Sequence, residues 1–330
     1  MSTDALYELY IASRKSAALA AAVRAGLFDW LDRGPATPEA IASALDLAPR
    51  GVRILCRALE ALGLLAREGD RLSLSSSARA HLVRGRSGWL GGLIDLEIES
   101  FLSPALVLEA LRRPGPSVYG GEDPWERHAR DPERAEAFTR AMHSISEQPA
   151  QALARSVDLG DAREVIDVGG GSGVISIALA RAWPRLRCVV WDLPQVCEQA
   201  QRYLSASGLG GRVTLAAGDL FGSPVPGEPD VALLSQILHD WPPETCRALL
   251  TKLFRALPAG GRILVHEKLI GPGEPLANAL VDLDLLVWTE GQQWDERGLF
   301  ELLRGVGFEH VERQRTGTYW SLVTGRKPER

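Results

Sequence analysis

The sequence predicts an α/β protein: a mostly parallel sheet covered on both faces and finished by an antiparallel edge hairpin, preceded by a mostly helical domain. Three observations carry this. From Arg163 onward, short apolar runs alternate with helical segments. Near the end, two strand-like runs, Phe308 to Gln314 and Tyr319 to Thr324, are separated only by the short link Thr316-Gly317-Thr318. The first 90 residues instead read helix, turn, helix, hairpin, the winged-helix order. A length of 330 residues agrees, since one domain takes roughly 150.

The N-terminal elements follow from local signals. Ala5 to Ala25 repeats apolar residues at helical spacing and stops at Gly26. Thr37 is placed to cap a second helix, with Pro38 in its first turn and Ile41 and Leu45 facing inward. Val52 to Leu62 forms a third helix, closed by Gly63. Leu64 to Leu74 reads as a hairpin turning at Gly69-Asp70. Arg50, Arg53 and Arg57 lie on one side of the third helix, where a DNA reader would place them. The surrounding charge is too weak for that use, and a dimerisation module of winged-helix shape fits better.

The middle stretch holds a loop at Pro114-Gly115-Pro116 and Gly120-Gly121, then two helices, Arg134 to Ser146 and Gln148 to Leu159. Phe138, Met142 and Ile145 share one helical face, which reads as core or as the wall of a ligand pocket. Five apolar strands follow: Glu164 to Val168, Arg187 to Trp191, Val213 to Ala217, Val231 to Ile237 and Gly261 to Val265. Fully apolar strands spaced by helices indicate a buried parallel sheet.

Composition narrows the function. Hydrophobic residues make up 45% and charged residues 24%, a globular balance that excludes a disordered chain. The net charge of −5 gives no general reason to bind nucleic acid or an anionic membrane. No apolar run approaches the roughly 18 residues of a membrane helix. Met1-Ser2-Thr3-Asp4 begins no basic-then-apolar leader, so a cytoplasmic protein is expected. Cys56, Cys188, Cys197 and Cys246 have no metal-binding spacing, and no metal is expected.

Three signals then fall at the ends of successive parallel strands. Gly169-Gly170-Gly171-Ser172-Gly173 follows the first strand and opens a helix, so the backbone can approach a ligand closely. Position 174 is valine and the loop has no lysine, which weakens both the dinucleotide and the triphosphate readings. Asp192 ends the second strand, where a carboxylate can accept both ribose hydroxyls or cap the next helix. After the third strand, Asp219 can accept from an adenine amino group while Leu220 or Phe221 packs on the ring; alone, this is a turn. Together they describe adenosine without pyrophosphate, which fits S-adenosyl-L-methionine.

The chemical group comes next. His239 stands beyond the fourth strand in Ser235-Gln236-Ile237-Leu238-His239-Asp240-Trp241. An imidazole there can take a proton from a hydroxyl; a packing histidine is the plainer reading. Glu267, at the end of the fifth strand, can hydrogen-bond that ring and fix its tautomer.

Residues 165–173, 189–194, 218–221, 235–243 and 261–268 together resemble the O-methyltransferases of the plant caffeate and flavonoid type. Their relatives include acetylserotonin methyltransferase and bacterial antibiotic-tailoring enzymes. The resemblance implies a Rossmann-like S-adenosyl-L-methionine domain at 156–330, a helical linker contributing to the substrate pocket at 96–155, and a winged-helix homodimerisation domain at 1–95. It places Gly169 at the cofactor's methionine end, Asp192 on its ribose, and Asp219 and Leu220 at its adenine; Gly171 and Phe221, in the same two loops, are further cofactor-binding candidates. His239 matches the general base, with Asp240 beside it in the His-Asp-Trp triplet and Glu267 as its acid. Met142 matches a residue flanking the acceptor, and Trp288, Trp294 and Trp125 are candidates to line its pocket. Two departures stand out. A cofactor-binding lysine of plant members falls at Ser235, and a second acid near base and acceptor falls at Gln293. An amide cannot stabilise an imidazolium by charge, so the base is less supported or the acceptor more acidic than a plain alcohol. The expected activity is methyl transfer to a hydroxyl of a small molecule. The alternatives are a thiol or hydroxy-acid acceptor, hydroxylation or cyclisation on the same scaffold, and a metabolite-sensing regulator.

Overall fold

The structure, a computed structural model, describes every residue except 1, 87, 95–102, 114, 119 and 330. The expected boundary at 95/96 and Pro114 of the middle loop therefore lie outside the described residues. The chain forms two units, Met1–Ser100 and Phe101–Arg330.

In the first unit, Ser2 caps helix α1 (Thr3–Arg24) by accepting from the Ala5 N–H. Gly26, at φ 69°, starts α2 (Leu27–Leu31). Thr37 accepts from the Ala40 N–H and opens α3 (Pro38–Ala44), which precedes α4 (Pro49–Ala61). Strands β1 (Leu65–Glu68) and β2 (Arg71–Leu74) pair antiparallel, with Leu65 opposite Leu74. Helix α5 (Ser76–His81) follows. Leu27, Phe28, Leu31, Ile41, Cys56, Leu59 and Leu72 are buried together as a core. On α4, Arg53 pairs with Glu39 at 3.2 Å and Arg57 donates to the Arg53 carbonyl.

The second unit begins with two short helices that local periodicity did not reveal, α6 (Pro104–Ala110) and α7 (Pro124–Arg130). Next, the two helices expected around Pro149 prove to be one, α8 (Pro132–Ser156). Proline removes one backbone hydrogen bond there. The helix still continues, because Ala150, Leu153 and Ala154 beyond it are buried with the sheet residues Val165 and Val190.

The sheet contains β3 (Glu164–Val168), β4 (Arg187–Asp192), β5 (Val213–Ala217), β6 (Val231–Ser235), β7 (Arg262–Glu267), β8 (Glu309–Arg315) and β9 (Ser321–Arg326). Its order is β5-β4-β3-β6-β7-β9-β8. The first five strands are parallel, and β9 and β8 close the edge antiparallel. Helices α9 (Val174–Ala182), α10 (Pro194–Ser207), α11 (Pro243–Ala256), α12 (Leu276–Trp288) and α13 (Glu296–Val306) connect them. Helix α12 was absent from the sequence reading; its Leu-Val-Asp-Leu-Asp-Leu-Leu-Val run carries little polar contrast to reveal a period. The chain leaves β3 toward β4 on one side and reaches β6 on the other, so a crevice opens at the carboxyl ends of those strands. Among the described residues, no helix is long and apolar enough to cross a membrane, and no group of three His, Cys, Asp or Glu could hold a metal ion.

Candidate active site

On the first side of the crevice, the glycine loop is shaped from beneath. Asp167 is buried and accepts from the Ser176 hydroxyl at 2.7 Å; burial pushes its carboxyl up to about 6. A Cβ at Gly170 would meet that carboxylate at 2.7 Å, which explains a glycine there. Gly169 and Gly171 adopt φ 65° and 57°. A Cβ on Gly169 would overlap Ile237, whereas one on Gly171 would meet nothing within 4 Å. The loop thus has one packed face and one open face.

Asp192 is drawn onto this loop. Its Oδ2 accepts from the Gly171 N–H at 2.8 Å and its Oδ1 from the Leu193 N–H at 2.7 Å. Burial raises its carboxyl to about 6, against the lowering effect of those two bonds. Each oxygen keeps acceptor capacity for a diol. At the end of β5, the exposed Asp219 accepts from the Phe221 N–H at 2.8 Å. Leu220 packs on the core, and Phe221 meets Trp241 edge-on at 4.9 Å between centroids. A carboxylate with spare lone pairs, an open glycine face and an apolar pair beside a second carboxylate suit an adenosyl group.

The other side of the crevice is drier. Gln236 takes φ 56°, an uncommon value for a side-chain-bearing residue, and turns the chain out of β6. A single 3₁₀ turn, Leu238–Asp240, then holds His239, 7% exposed. The ring's Nδ1 lies 3.3 Å from Glu267 Oε2, and its Nε2 lies 3.6 Å from Asp240 Oδ1. Glu267 is fully buried at the end of β7, and its Oε1 accepts from the Ile237 and Leu238 N–H groups, each at 3.2 Å. Burial favours the neutral form of each group, lowering the imidazole and raising both carboxyls; Lys268 pushes the ring further down. Burial therefore keeps His239 uncharged, and once Glu267 has given up its proton the ring can carry its hydrogen on Nδ1 and leave Nε2 free to accept one.

Two neighbours complete this turn. Gln293 is 1% exposed; neither polar atom of its side chain makes a hydrogen bond of good geometry, yet the amide lies close enough to His239 to favour the ring's charged form. Its N–H donates to Asp282 Oδ1 at 2.7 Å. Gly291 lies against the turn so closely that a Cβ would overlap the backbone of His239, Asp240 and Trp241. The sequence reading missed Gly291, because its reason is a tertiary approach and not a local pattern.

The remaining expected residues separate. Ser235 is engaged within the protein: its hydroxyl hydrogen-bonds His266 Nδ1 at 3.1 Å, and His266 Nε2 reaches Thr316 at 2.9 Å. Trp288 stacks on Phe138 at 5.6 Å and 8°, with Trp125 edge-on to Phe138 at 5.9 Å. His128 completes this aromatic group, and its burial lowers the ring to about 4. Met142 is half-buried on α8 next to His143. His143 hydrogen-bonds Ser172 of the glycine loop at 2.8 Å. Trp294 packs into the core with Leu299 and Leu303.

Comparison with known proteins identifies the family. The O-methyltransferase domain family matches residues 106–309, and the O-methyltransferase dimerisation domain matches residues 7–84. The chain is 35% identical over 301 residues to 3-hydroxy-5-methyl-1-naphthoate 3-O-methyltransferase of Streptomyces sahachiroi, covering 90% of this chain and 87% of that one. It is 34% identical over 271 residues to the N,N-dimethyltransferase OxyT of Streptomyces rimosus, covering 81% and 78%. Among solved structures, PigF with SAH superposes with a TM-score of 0.87 at 27% identity, covering 99% of this chain and 100% of that one.

Proposed function

The chain belongs to the O-methyltransferase family, and we propose that His239 is its general base. The enzyme is an S-adenosyl-L-methionine-dependent O-methyltransferase of small aromatic or secondary-metabolite hydroxyls. When bound, the cofactor supplies a methyl group on a positively charged sulfur. Asp192 receives its ribose hydroxyls, Asp219 with Leu220 and Phe221 receives its adenine, and the Gly169–Gly171 backbone faces its methionine end. His239 accepts the proton of the acceptor hydroxyl at Nε2, because Nδ1 faces Glu267. Glu267 holds the tautomer and stabilises the imidazolium that forms. Trp288, stacked on Phe138, and Met142 on the same helix as Phe138 are the residues assigned to an aromatic acceptor.

One observation carries this reading: a buried, neutral imidazole with a carboxylate at 3.3 Å, set beyond β6, with Asp192 at the end of β4. Those strands are separated only by β3, hence by about 10 Å, a span a nucleoside with an amino-acid arm can bridge. Transfer of labelled methyl groups to a panel of phenols and hydroxynaphthoates tests it. Wild type should label an oxygen and His239→Ala should not. Equal labelling by both would remove His239 from the mechanism, and labelling of aromatic amines alone would move the acceptor atom to nitrogen.

The same reading has the enzyme work in the cytoplasm as a homodimer through its winged-helix-like N-terminal domain, without nucleic acid or membrane. Leu6, Tyr7, Leu9 and Tyr10 leave an apolar surface exposed on α1, and they adjoin or fall within the dimerisation match. A monomeric mass by light scattering at micromolar concentration would refute the dimer.

A further inference from the structure

Lys252 has no part in the reading above, yet it touches one end of the site at several points. It projects from α11, whose Cys246, Leu249, Leu250 and Leu253 are buried against the sheet. Its Nζ donates to the backbone carbonyls of Leu220 at 2.7 Å, Phe221 at 3.1 Å and Ser223. An ammonium has three N–H donors, and this one spends all three on a single loop. The same Nζ lies 5.1 Å from the ring centroid of Trp191, the residue preceding Asp192 on β4. The Asp219–Ser223 loop has its own internal bonds, Asp219 N–H to Ser223 Oγ at 3.1 Å and Phe221 N–H to Asp219 Oδ1 at 2.8 Å. Those bonds set the shape of the loop. The contacts of Lys252 fix where that shape sits relative to β4.

We propose that Lys252 is a positioning residue for the cofactor: by holding the carbonyls of the Asp219–Ser223 loop, it sets how tightly the adenine end is bound. This rests on the reading that the loop contacts adenine. Free carbonyls at a loop tip are satisfied by water in many orientations. A single cation bonded to three of them leaves essentially one. A loop ordered in advance does not lose that freedom on binding, and affinity rises accordingly.

Calorimetry with S-adenosyl-L-homocysteine tests this on Lys252→Met, Lys252→Arg, Asp219→Ala and the Lys252→Met/Asp219→Ala double variant. Methionine keeps an unbranched stem of similar reach and removes the donors. Lys252→Met should weaken binding roughly tenfold, the scale of one lost charge-assisted hydrogen bond, and Lys252→Arg should recover part of it. The double variant should bind no worse than the weaker single, because both changes act through one loop. S-inosyl-L-homocysteine, in which an oxygen replaces the adenine amino group, keeps the ring packing but loses the Asp219 contact, so it should lose less affinity on Lys252→Met than S-adenosyl-L-homocysteine does. Weakened Asp219→Ala with unchanged Lys252→Met would overturn the proposal. So would additive losses, or an equal loss for both ligands, since either means general damage. An Asp219→Ala variant of undiminished affinity would instead overturn the adenine reading, and the proposal with it.

Discussion

At the ends of β4 and β5 the carboxylates are tied down by backbone N–H groups, whereas beyond β6 and β7 polar atoms are buried without partners. Asp192 has both oxygens engaged and Asp219 has one. His239 Nδ1, Glu267 Oε2 and both polar atoms of Gln293 lack a hydrogen bond of good geometry. The difference separates two tasks on one sheet edge. A binding half gains from being complete before its ligand arrives. A proton-transferring half needs groups shifted from their ordinary protonation, and burial without full compensation supplies that shift.

Removing the imaginable proton acceptor tests the contrast most severely. His239→Ala should lower turnover by roughly 10²–10⁴-fold and leave S-adenosyl-L-homocysteine affinity within about twofold. A large loss of affinity in this variant would merge the two halves. On the other side, Asp192→Ala should weaken the same ligand by roughly 10–100-fold, since it removes a charged acceptor and frees the Gly171 N–H. Calorimetry showing undiminished affinity would take the ribose away from Asp192.

The pH dependence belongs to the drier half. Burial pushes the Glu267 carboxyl up to about 8. While the His239–Glu267 pair holds an extra proton, Nε2 is not free to act as a base. Turnover should therefore rise from pH 6 to pH 9, with its midpoint well above the ordinary carboxylate range. Glu267→Gln should flatten that rise and lower the plateau by roughly tenfold or more. A wild-type rate independent of pH over this interval would contradict the pairing. Stability should move the other way. A carboxyl raised in the folded state contributes fully below its unfolded value of 4.5 and loses that contribution as pH climbs toward 8.

The two halves also differ in how readable they were. Gly169, Gly171, Asp192, Asp219, His239 and Glu267 were all placed from sequence because each ends a strand or follows one directly, where position in the chain fixes position in space. Parallel apolar strands announce themselves, and so did the antiparallel edge. Gly291 and Lys252 went unread because their roles lie in contacts with distant backbone, which has no signature in residue type. Helix α12 was missed for lack of polar contrast, and α8 was divided at Glu147, just before Pro149, because local propensity cannot see the core that holds the helix together. The legible part is where local sequence decides; the rest is decided by packing. Gly291→Ala checks this directly. Its new methyl would overlap the His239–Trp241 backbone, so it should cost about 1–3 kcal/mol of stability and roughly tenfold or more in turnover. Ligand affinity on the Asp192 side should hold. Full activity in this variant would mean that the turn can relocate without consequence.

The smallest effect probes the residue that departs from the plant pattern. Gln293 lies at 1% exposure near His239 and favours its protonated form only as a dipole. Gln293→Glu would place a third carboxyl near Asp240 and Glu267. At low pH that carboxyl is protonated and changes little. Once ionised, it stabilises the imidazolium and makes the ring a stronger base, so the plateau should rise by a few-fold. Like charges resist ionising together, so the midpoint should move to higher pH. The fold should lose about 1–3 kcal/mol above the shifted midpoint, because the amide was buried and its ionised replacement is a buried charge. Both changes are read from one experiment, a pH–rate profile of the variant against wild type, with thermal unfolding alongside. A profile that overlays wild type would show that position 293 does not act on the ring. A rise in plateau without a shift in midpoint would place the effect on the acceptor, and Gln293 would then belong to acceptor recognition and not to the base.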